Sequence, residues 1–243
     1  MADLESVARR IAQAGRLTVL TGAGVSAASG VPTFRGAGGL WRSFRAEDLA
    51  TPEAFERDPR LVWEWYGWRR QRIAACSPNP AHEVLARWSH RPGFTLVTQN
   101  VDGLHERAGT HNVLRYHGSI WRLRCATGCG RDEWEDLAVP FADTPACPSC
   151  SALARPAVVW FGEPIPHEIA RAADSASRCD VFLSIGTSSL VYPAAGLLHQ
   201  ARAHGAWTVE INPEPSASAG ITDAAIALPA ENALPLLEDR LSP

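Results

Sequence analysis

Four cysteines, Cys125, Cys129, Cys147 and Cys150, fall within 26 residues of one another in a chain of 243. The pairs Cys125-x3-Cys129 and Cys147-x2-Cys150, separated by 17 residues, suit two knuckles closing on one tetrahedral zinc through four thiolates. Four protein ligands leave no open coordination position, so such an ion is structural. The first pair is one residue wider than the common knuckle, and two unrelated reduced pairs are the alternative. Cys76 and Cys179 have no partner at such spacing and read as small residues near a core. A second group follows the apolar run 94–98: Gln99-Asn100-Val101-Asp102 sets two amides and an acid side by side. It is either a binding site at the carboxyl end of a strand or a helix start capped by Asn100 or Asp102. His117, between Tyr116 and Gly118, can serve as a general base near neutral pH. The other seven histidines could make the same claim.

Two further constellations concern ligands. Thr21-Gly22-Ala23-Gly24-Val25-Ser26 follows the apolar run 17–21, where a strand hands over to a helix and backbone N–H groups can point at a phosphate. The third glycine of the dinucleotide fingerprint is replaced by Ala27, and no acidic strand end follows about 20 residues later. A nucleotide site and a plain tight turn therefore both stand. Thr33-Phe34-Arg35 leads into a glycine-rich loop whose guanidinium suits an anionic cofactor. Gly186-Thr187-Ser188 and Asn212 follow other apolar runs and add small polar groups. In Trp63-Glu64-Trp65-Tyr66-Gly67-Trp68-Arg69-Arg70, Tyr66 and Arg69 are three apart and share a helix face. A phenol and a guanidinium that converge can hold a carboxylate; tryptophan packing with solvent-facing arginines is the plainer reading.

These residues need a frame. Residues 4–14 repeat apolar positions at helical spacing, and 17–21, 94–98, 181–185, 207–211 and 225–228 are short runs, mostly continuous in apolar character, as parallel strands buried on both faces require. With a helical stretch at 194–204, the expectation is an α/β fold: a Rossmann-like open parallel sheet with a smaller zinc-binding and helical lobe. The sheet domain takes 1–39, 92–120 and 156–243; 40–91 is a helical insertion and 121–155 a zinc-binding insertion, with a cleft between the lobes. All 23 basic residues are arginine. Chemistry needing a lysine, whether a Schiff base or a Walker-type phosphate loop, is excluded. A net charge of -3 argues against a nucleic-acid or polybasic membrane partner. The acidic start, without an apolar leader, predicts a cytoplasmic protein that neither spans nor enters a membrane.

Taken together, the motifs resemble the sirtuin family of NAD-dependent protein deacylases, over nearly the whole chain from Thr21 to Leu234. Gly22-Ala23-Gly24-Val25-Ser26 with Thr33-Phe34-Arg35 looks like the family's opening motif, Gln99-Asn100-Val101-Asp102 like its nicotinamide and ribose motif, and His117-Gly118 like its catalytic histidine. The resemblance implies NAD, consumed as co-substrate, and one structural zinc. It implies that Asn100 and Asp102 surround the nicotinamide pocket, with Gln99 near the ribose. Val101, Trp41, Gly186, Thr187, Ser188, Asn212 and Ala230 complete the cofactor set. An acyl-lysine would present its amide oxygen to the nicotinamide ribose, nicotinamide would leave, and His117 would take a proton from a ribose hydroxyl. The products would be free lysine, nicotinamide and O-acyl-ADP-ribose.

Gly36-Ala37-Gly38-Gly39-Leu40-Trp41-Arg42 followed by Tyr66 and Arg69 looks like the branch that removes succinyl, malonyl or glutaryl groups, with Ala46 making room and weaker deacetylation beside it. The resemblance further implies that the peptide lies between Val159, Phe161, Gly162 and Glu163 on one side and Val191 and Tyr192 on the other. It would be held as an added strand, so that acyl-lysines of diverse proteins are substrates of a monomeric enzyme. The rivals are an ADP-ribosyl transferase on the same NAD site and a noncatalytic NAD- or acyl-lysine-binding module; a base at His117 argues against the latter.

Overall fold

The computed structural model describes residues 3–32, 40–41, 44–139 and 144–241. Of the expected cofactor residues, Thr33, Phe34 and Arg35 lie outside the described residues, as does the side chain of Trp41. The strands are β1 Leu17–Thr21, β2 Leu40–Trp41, β3 Phe44–Arg45, β4 Phe94–Thr98, β5 Leu114–Arg115, β6 Gly118–Cys125, β7 Trp134–Glu135, β8 Ala154–Val158, β9 Val181–Ile185, β10 Trp207–Ile211 and β11 Ala224–Ile226. The α-helices are α1 Leu4–Gln13, α2 Ala46–Leu49, α3 Pro52–Arg57, α4 Pro59–Ala74, α5 Pro80–Trp88, α6 Leu104–Arg107, α7 His167–Ser177, α8 Gly196–Ala203 and α9 Ala230–Leu241.

Six strands form one sheet in the order β11-β10-β9-β1-β4-β5, and every pairing in it is parallel. All five residues of β1 and all five of β9 are buried, as a central strand covered on both faces demands. One face packs on α1, α5 and α9 through Val7, Ile11, Leu85, Leu234 and Leu237. The other packs on α7 and α8 through Phe182, Ala173, Leu197 and Leu198. The expected α/β architecture is present.

The remaining elements share a third core. Phe55, Trp63, Trp65, Tyr66 and Ile73 of the helices pack with Ile120, Leu123, Ala154 and Trp160, and the Trp63 indole N–H donates to the Ala154 carbonyl at 3.0 Å. Two caps fix the helices of this lobe. Thr51 Oγ1 accepts from Ala54 N, Asp58 Oδ1 accepts from Leu61 N, and a proline opens each following helix, where its missing N–H costs nothing. The antiparallel sheet β7-β6-β8 completes the lobe. The expected segment limits at 120/121 and 155/156 fall inside β6 and β8, which pair along most of their length. Among the described residues no helix is long and apolar enough to cross a membrane.

Candidate active site

The sheet dictates where a ligand can sit. From β1 the chain moves to β4 on one side and later returns to β9 on the other, so a crevice opens at the carboxyl ends of β1 and β9. Gly22, Ala23 and Gly24 leave β1 at that point, and Gly186, Thr187 and Ser188 leave β9. The two loops are interlocked: Gly24 N donates to the Gly186 carbonyl at 2.8 Å. A Cβ on Gly24 would stand 2.7 Å from Gly186 O, and one on Gly22 2.8 Å from Thr187 Cβ. Gly186 has φ +60°, and its Cβ would meet Val25 N at 2.5 Å. These glycines are thus demanded first by loop against loop. Residues 23–29 form a short 3-10 helix rather than the α-helix of a dinucleotide fingerprint.

At the end of β4 each polar side chain is held by a neighbour. Gln99 Nε2 donates to Thr187 Oγ1 at 3.1 Å. Asn100 Nδ2 donates to Gly22 O at 3.0 Å and to Ser26 Oγ at 3.2 Å. Asp102 is buried; its Oδ2 accepts from Ser26 Oγ at 2.8 Å and its Oδ1 from Leu104 N at 2.9 Å. Burial pushes its carboxyl up, and these two hydrogen bonds oppose the rise. The turn-holding and the binding-site readings of this segment therefore coexist: Asp102 braces the turn into α6, while Gln99, Asn100 and Val101 line an open cavity.

His117 sits between β5 and β6 and lines that cavity. Its Nδ1 lies 3.1 Å from the Gln99 carbonyl oxygen. A carbonyl only accepts, so Nδ1 carries the hydrogen and Nε2 keeps its lone pair. Burial lowers the His117 pKa, and the bond to Gln99 partly offsets this. The ring is a neutral base at neutral pH. The buried pair His82 and His105, 4.8 Å apart, is likewise held neutral by burial, but it packs behind Ser26 and Thr21 and is not part of the cavity wall.

The cavity, of about 570 Å³, is in the range of small-molecule and cofactor sites. Gly22, Ala23, Gly24, Gln99, Asn100, Val101, His117, Gly186, Thr187 and Ser188 line one part of it; Tyr66, Arg69, Val159, Phe161, Gly162, Glu163, Val191 and Tyr192 are among the residues lining another. Tyr66 and Arg69 come from one face of α4. Arg69 is partly buried, with its guanidinium 5.0 Å from the Trp65 ring and 5.8 Å from that of Tyr66. Burial lowers its pKa, while Tyr66 and the Asp102 carboxylate raise it.

Five expected residues stand off the wall. Ser26 and Asp102 are behind it, bracing Asn100. Asn212 Nδ2 donates to the Thr187 carbonyl at 3.1 Å and so supports that loop. Ala230 opens α9 with its side chain in the first core. Ala46, the first residue of α2, packs in the small-lobe core, while Ala50, just past that helix, lines the cavity together with Tyr66. Glu47 also lines it without having stood out in the sequence, and Trp160, between the expected peptide-facing residues Val159 and Phe161, lines it with them.

The four clustered cysteines converge, all Sγ atoms lying within 4.8 Å of one another. Cys125 to Cys150 and Cys129 to Cys147 are each 3.6 Å apart. Zinc–thiolate bonds of about 2.3 Å give tetrahedral edges of roughly 3.8 Å, close to these two pairs, so the four sulfurs are placed to share one zinc.

The Sir2 family model matches residues 22–193. An NAD-dependent protein deacylase of Pyrobaculum aerophilum is 50% identical over 238 residues, 97% of this chain and 95% of that protein. The solved complex of a Sir2 homologue with NAD is 40% identical with a TM-score of 0.92, covering 99% of this chain and 94% of the other. A Sir2 protein bound to a myristoylated histone peptide is 30% identical with a TM-score of 0.79, covering 98% and 95%. The parallel sheet, the interlocked glycine loops, the neutral histidine and the cysteine cage thus have one common explanation: the chain belongs to the Sir2 family, the NAD-dependent protein deacylases.

Proposed function

We propose that this Sir2-family chain removes acyl groups from protein lysines, preferring succinyl, malonyl and glutaryl over acetyl, and yields nicotinamide, O-acyl-ADP-ribose and free lysine. One observation carries the acyl preference: Tyr66 and Arg69 line the same cavity as His117. A partly buried guanidinium gains from an acyl carboxylate, which its planar donors match, and gains nothing from a methyl group.

Each residue then has a task. The backbone of Gly22, Ala23 and Gly24 and the groups of Gln99, Asn100, Val101, Gly186, Thr187 and Ser188 hold NAD, with Ser26, Asp102 and Asn212 bracing them. Ala230 contributes at the start of α9, and Thr33, Phe34, Arg35 and Trp41 complete the set. NAD supplies, when bound, a ribose carbon activated by its nicotinamide leaving group and the hydroxyl that receives the acyl group. His117 Nε2 accepts the proton of a ribose hydroxyl while Nδ1–H stays on the Gln99 carbonyl, so the ring does not turn as it charges. Asn100 and Asp102 shape the nicotinamide end. Val159, Phe161, Gly162 and Glu163 face Val191 and Tyr192 across a cleft in which a peptide can add as a strand, through main-chain bonds that tolerate many sequences. The acylated histone peptide on a relative supports acyl-lysine as the substrate class. Cys125, Cys129, Cys147 and Cys150 hold zinc away from this chemistry.

Mass spectrometry of products from a panel of acylated peptides, with and without NAD, tests the reading. Succinylated peptide is expected to give O-succinyl-ADP-ribose faster than acetylated peptide gives its acetyl analogue. Arg69→Met is expected to cost at least tenfold in kcat/KM on succinyl-lysine, the scale of a charge-assisted hydrogen bond, with deacetylation still measurable. Equal loss of both activities overturns the acyl preference; transfer of ADP-ribose to the peptide itself would favour a transferase.

A further inference from the structure

Tyr66 does not stand alone. Its side chain is fully buried, and the Trp160 indole N–H donates to its hydroxyl oxygen at 2.9 Å. Trp160 is itself 2% exposed and tightly held. The Arg155 guanidinium carbon lies 3.2 Å from the Trp160 ring centroid. Glu163 accepts from Arg155 Nη1 at 2.6 Å and Nη2 at 2.9 Å, and from Trp160 N at 2.8 Å. Phe55 packs on the ring with centroids 5.3 Å apart. The indole therefore has little freedom to swing away.

An indole N–H can only donate, whereas a phenol hydroxyl donates one hydrogen and accepts others. Because Trp160 can only donate to that oxygen, it cannot take the Tyr66 hydrogen, which must go elsewhere. Among the described residues no group accepts it, and Tyr66 borders the cavity. An ionised carboxylate is an acceptor only; a cavity that offers it a fixed O–H donor beside the Arg69 guanidinium is matched on both oxygens. Resting on the acyl reading above, we propose that Trp160 is a specificity-determining positioning residue: by donating to Tyr66 it makes the Tyr66 hydroxyl a donor toward the acyl carboxylate. Burial also raises the Tyr66 pKa, which keeps that proton on the phenol at neutral pH.

The test replaces Trp160 by its benzothiophene analogue, which keeps the bicyclic shape and lacks the N–H, and in parallel by phenylalanine. The readout is the ratio of kcat/KM on succinyl-lysine to kcat/KM on acetyl-lysine peptide. The ratio is expected to fall about tenfold, and no further in a Tyr66→Phe background. A ratio held within twofold, a joint fall of both activities, or an effect additive with Tyr66→Phe overturns the proposal. Arg69→Met separates the two levels. Preference lost there but retained in the Trp160 analogue sinks this proposal alone; a wild-type chain without succinyl preference sinks the acyl reading and this proposal with it.

Discussion

His117→Ala is expected to lower turnover on acylated peptide by roughly 10²- to 10⁴-fold, the usual worth of a positioned general base, while NAD affinity stays within several-fold. The asymmetry follows from the geometry. The cofactor cradle is built from the loops after β1, β4 and β9, and the His117 ring is tied to it by a hydrogen bond from its Nδ1–H to the Gln99 carbonyl. Removing the ring deletes the lone pair at Nε2 without opening the interlock of Gly24 with Gly186. Calorimetric titration of NAD beside single-turnover release of product separates the two; a matching loss of NAD affinity would assign the histidine to binding instead. The pH profile carries the same signature. Burial lowers the His117 pKa below its ordinary 6.5, and the base works when unprotonated. The activity is therefore present at neutral pH and lost as pH falls through that lowered value, so the acid limb of kcat/KM lies below pH 6.5. A limb clearly above it contradicts a buried, neutral base.

Removing the metal is expected to have the second large effect. Cys125 ends β6, and the four sulfurs are gathered tightly enough to repel one another as thiolates unless a cation joins them. Binding free energies for structural zinc reach about 10 kcal/mol or more in small zinc modules, and only part of that is recovered when the metal leaves a larger fold. Cys147→Ala, or chelation, should cost several kcal/mol, on the order of 10 °C in Tm. Metal analysis of the purified chain should find one zinc per molecule. Zinc, and not magnesium, should restore the melting temperature after chelation. The loss of activity should follow the loss of structure, because the cage lies apart from the cavity. A chain that melts unchanged after chelation would leave the cysteines as reduced pairs.

What the sequence disclosed depended on how far each signal was local. β1, β4, β9 and β10 were readable because a buried parallel strand leaves a short run of mostly apolar or small residues, with Glu210 the one charge among the four. β5 has two residues and no pattern to read. β8, Ala154-Arg155-Pro156-Ala157-Val158, carries an arginine and a proline, yet all five residues are buried. Arg155 is tolerated because Glu163 and the Val158 carbonyl take the donors of both Nη groups, and Pro156 stands next to the register shift of the β6 and β8 pair, where a missing N–H is harmless. Neither compensation is visible before folding. In the site, Tyr66 with Arg69 was legible because helical spacing is a local property. Ala50 in place of Ala46 was not, since which small residue faces a cavity depends on where a four-residue helix ends. The bond from Trp160 to Tyr66 was not legible for the same reason: its acceptor lies 94 positions away.

The interlock of the loops after β1 and β9 also defines the smallest piece of this molecule that can be rewritten. Gly22, Gly24 and Gly186 face each other's backbone rather than open space, so a side chain introduced on one loop has nowhere to go unless the opposite loop is rebuilt to receive it. Libraries that vary one of these positions at a time will mostly return chains that fold poorly. A redesign toward another dinucleotide has to treat residues 22–24 and 186–188 as a single cassette, exchanged together.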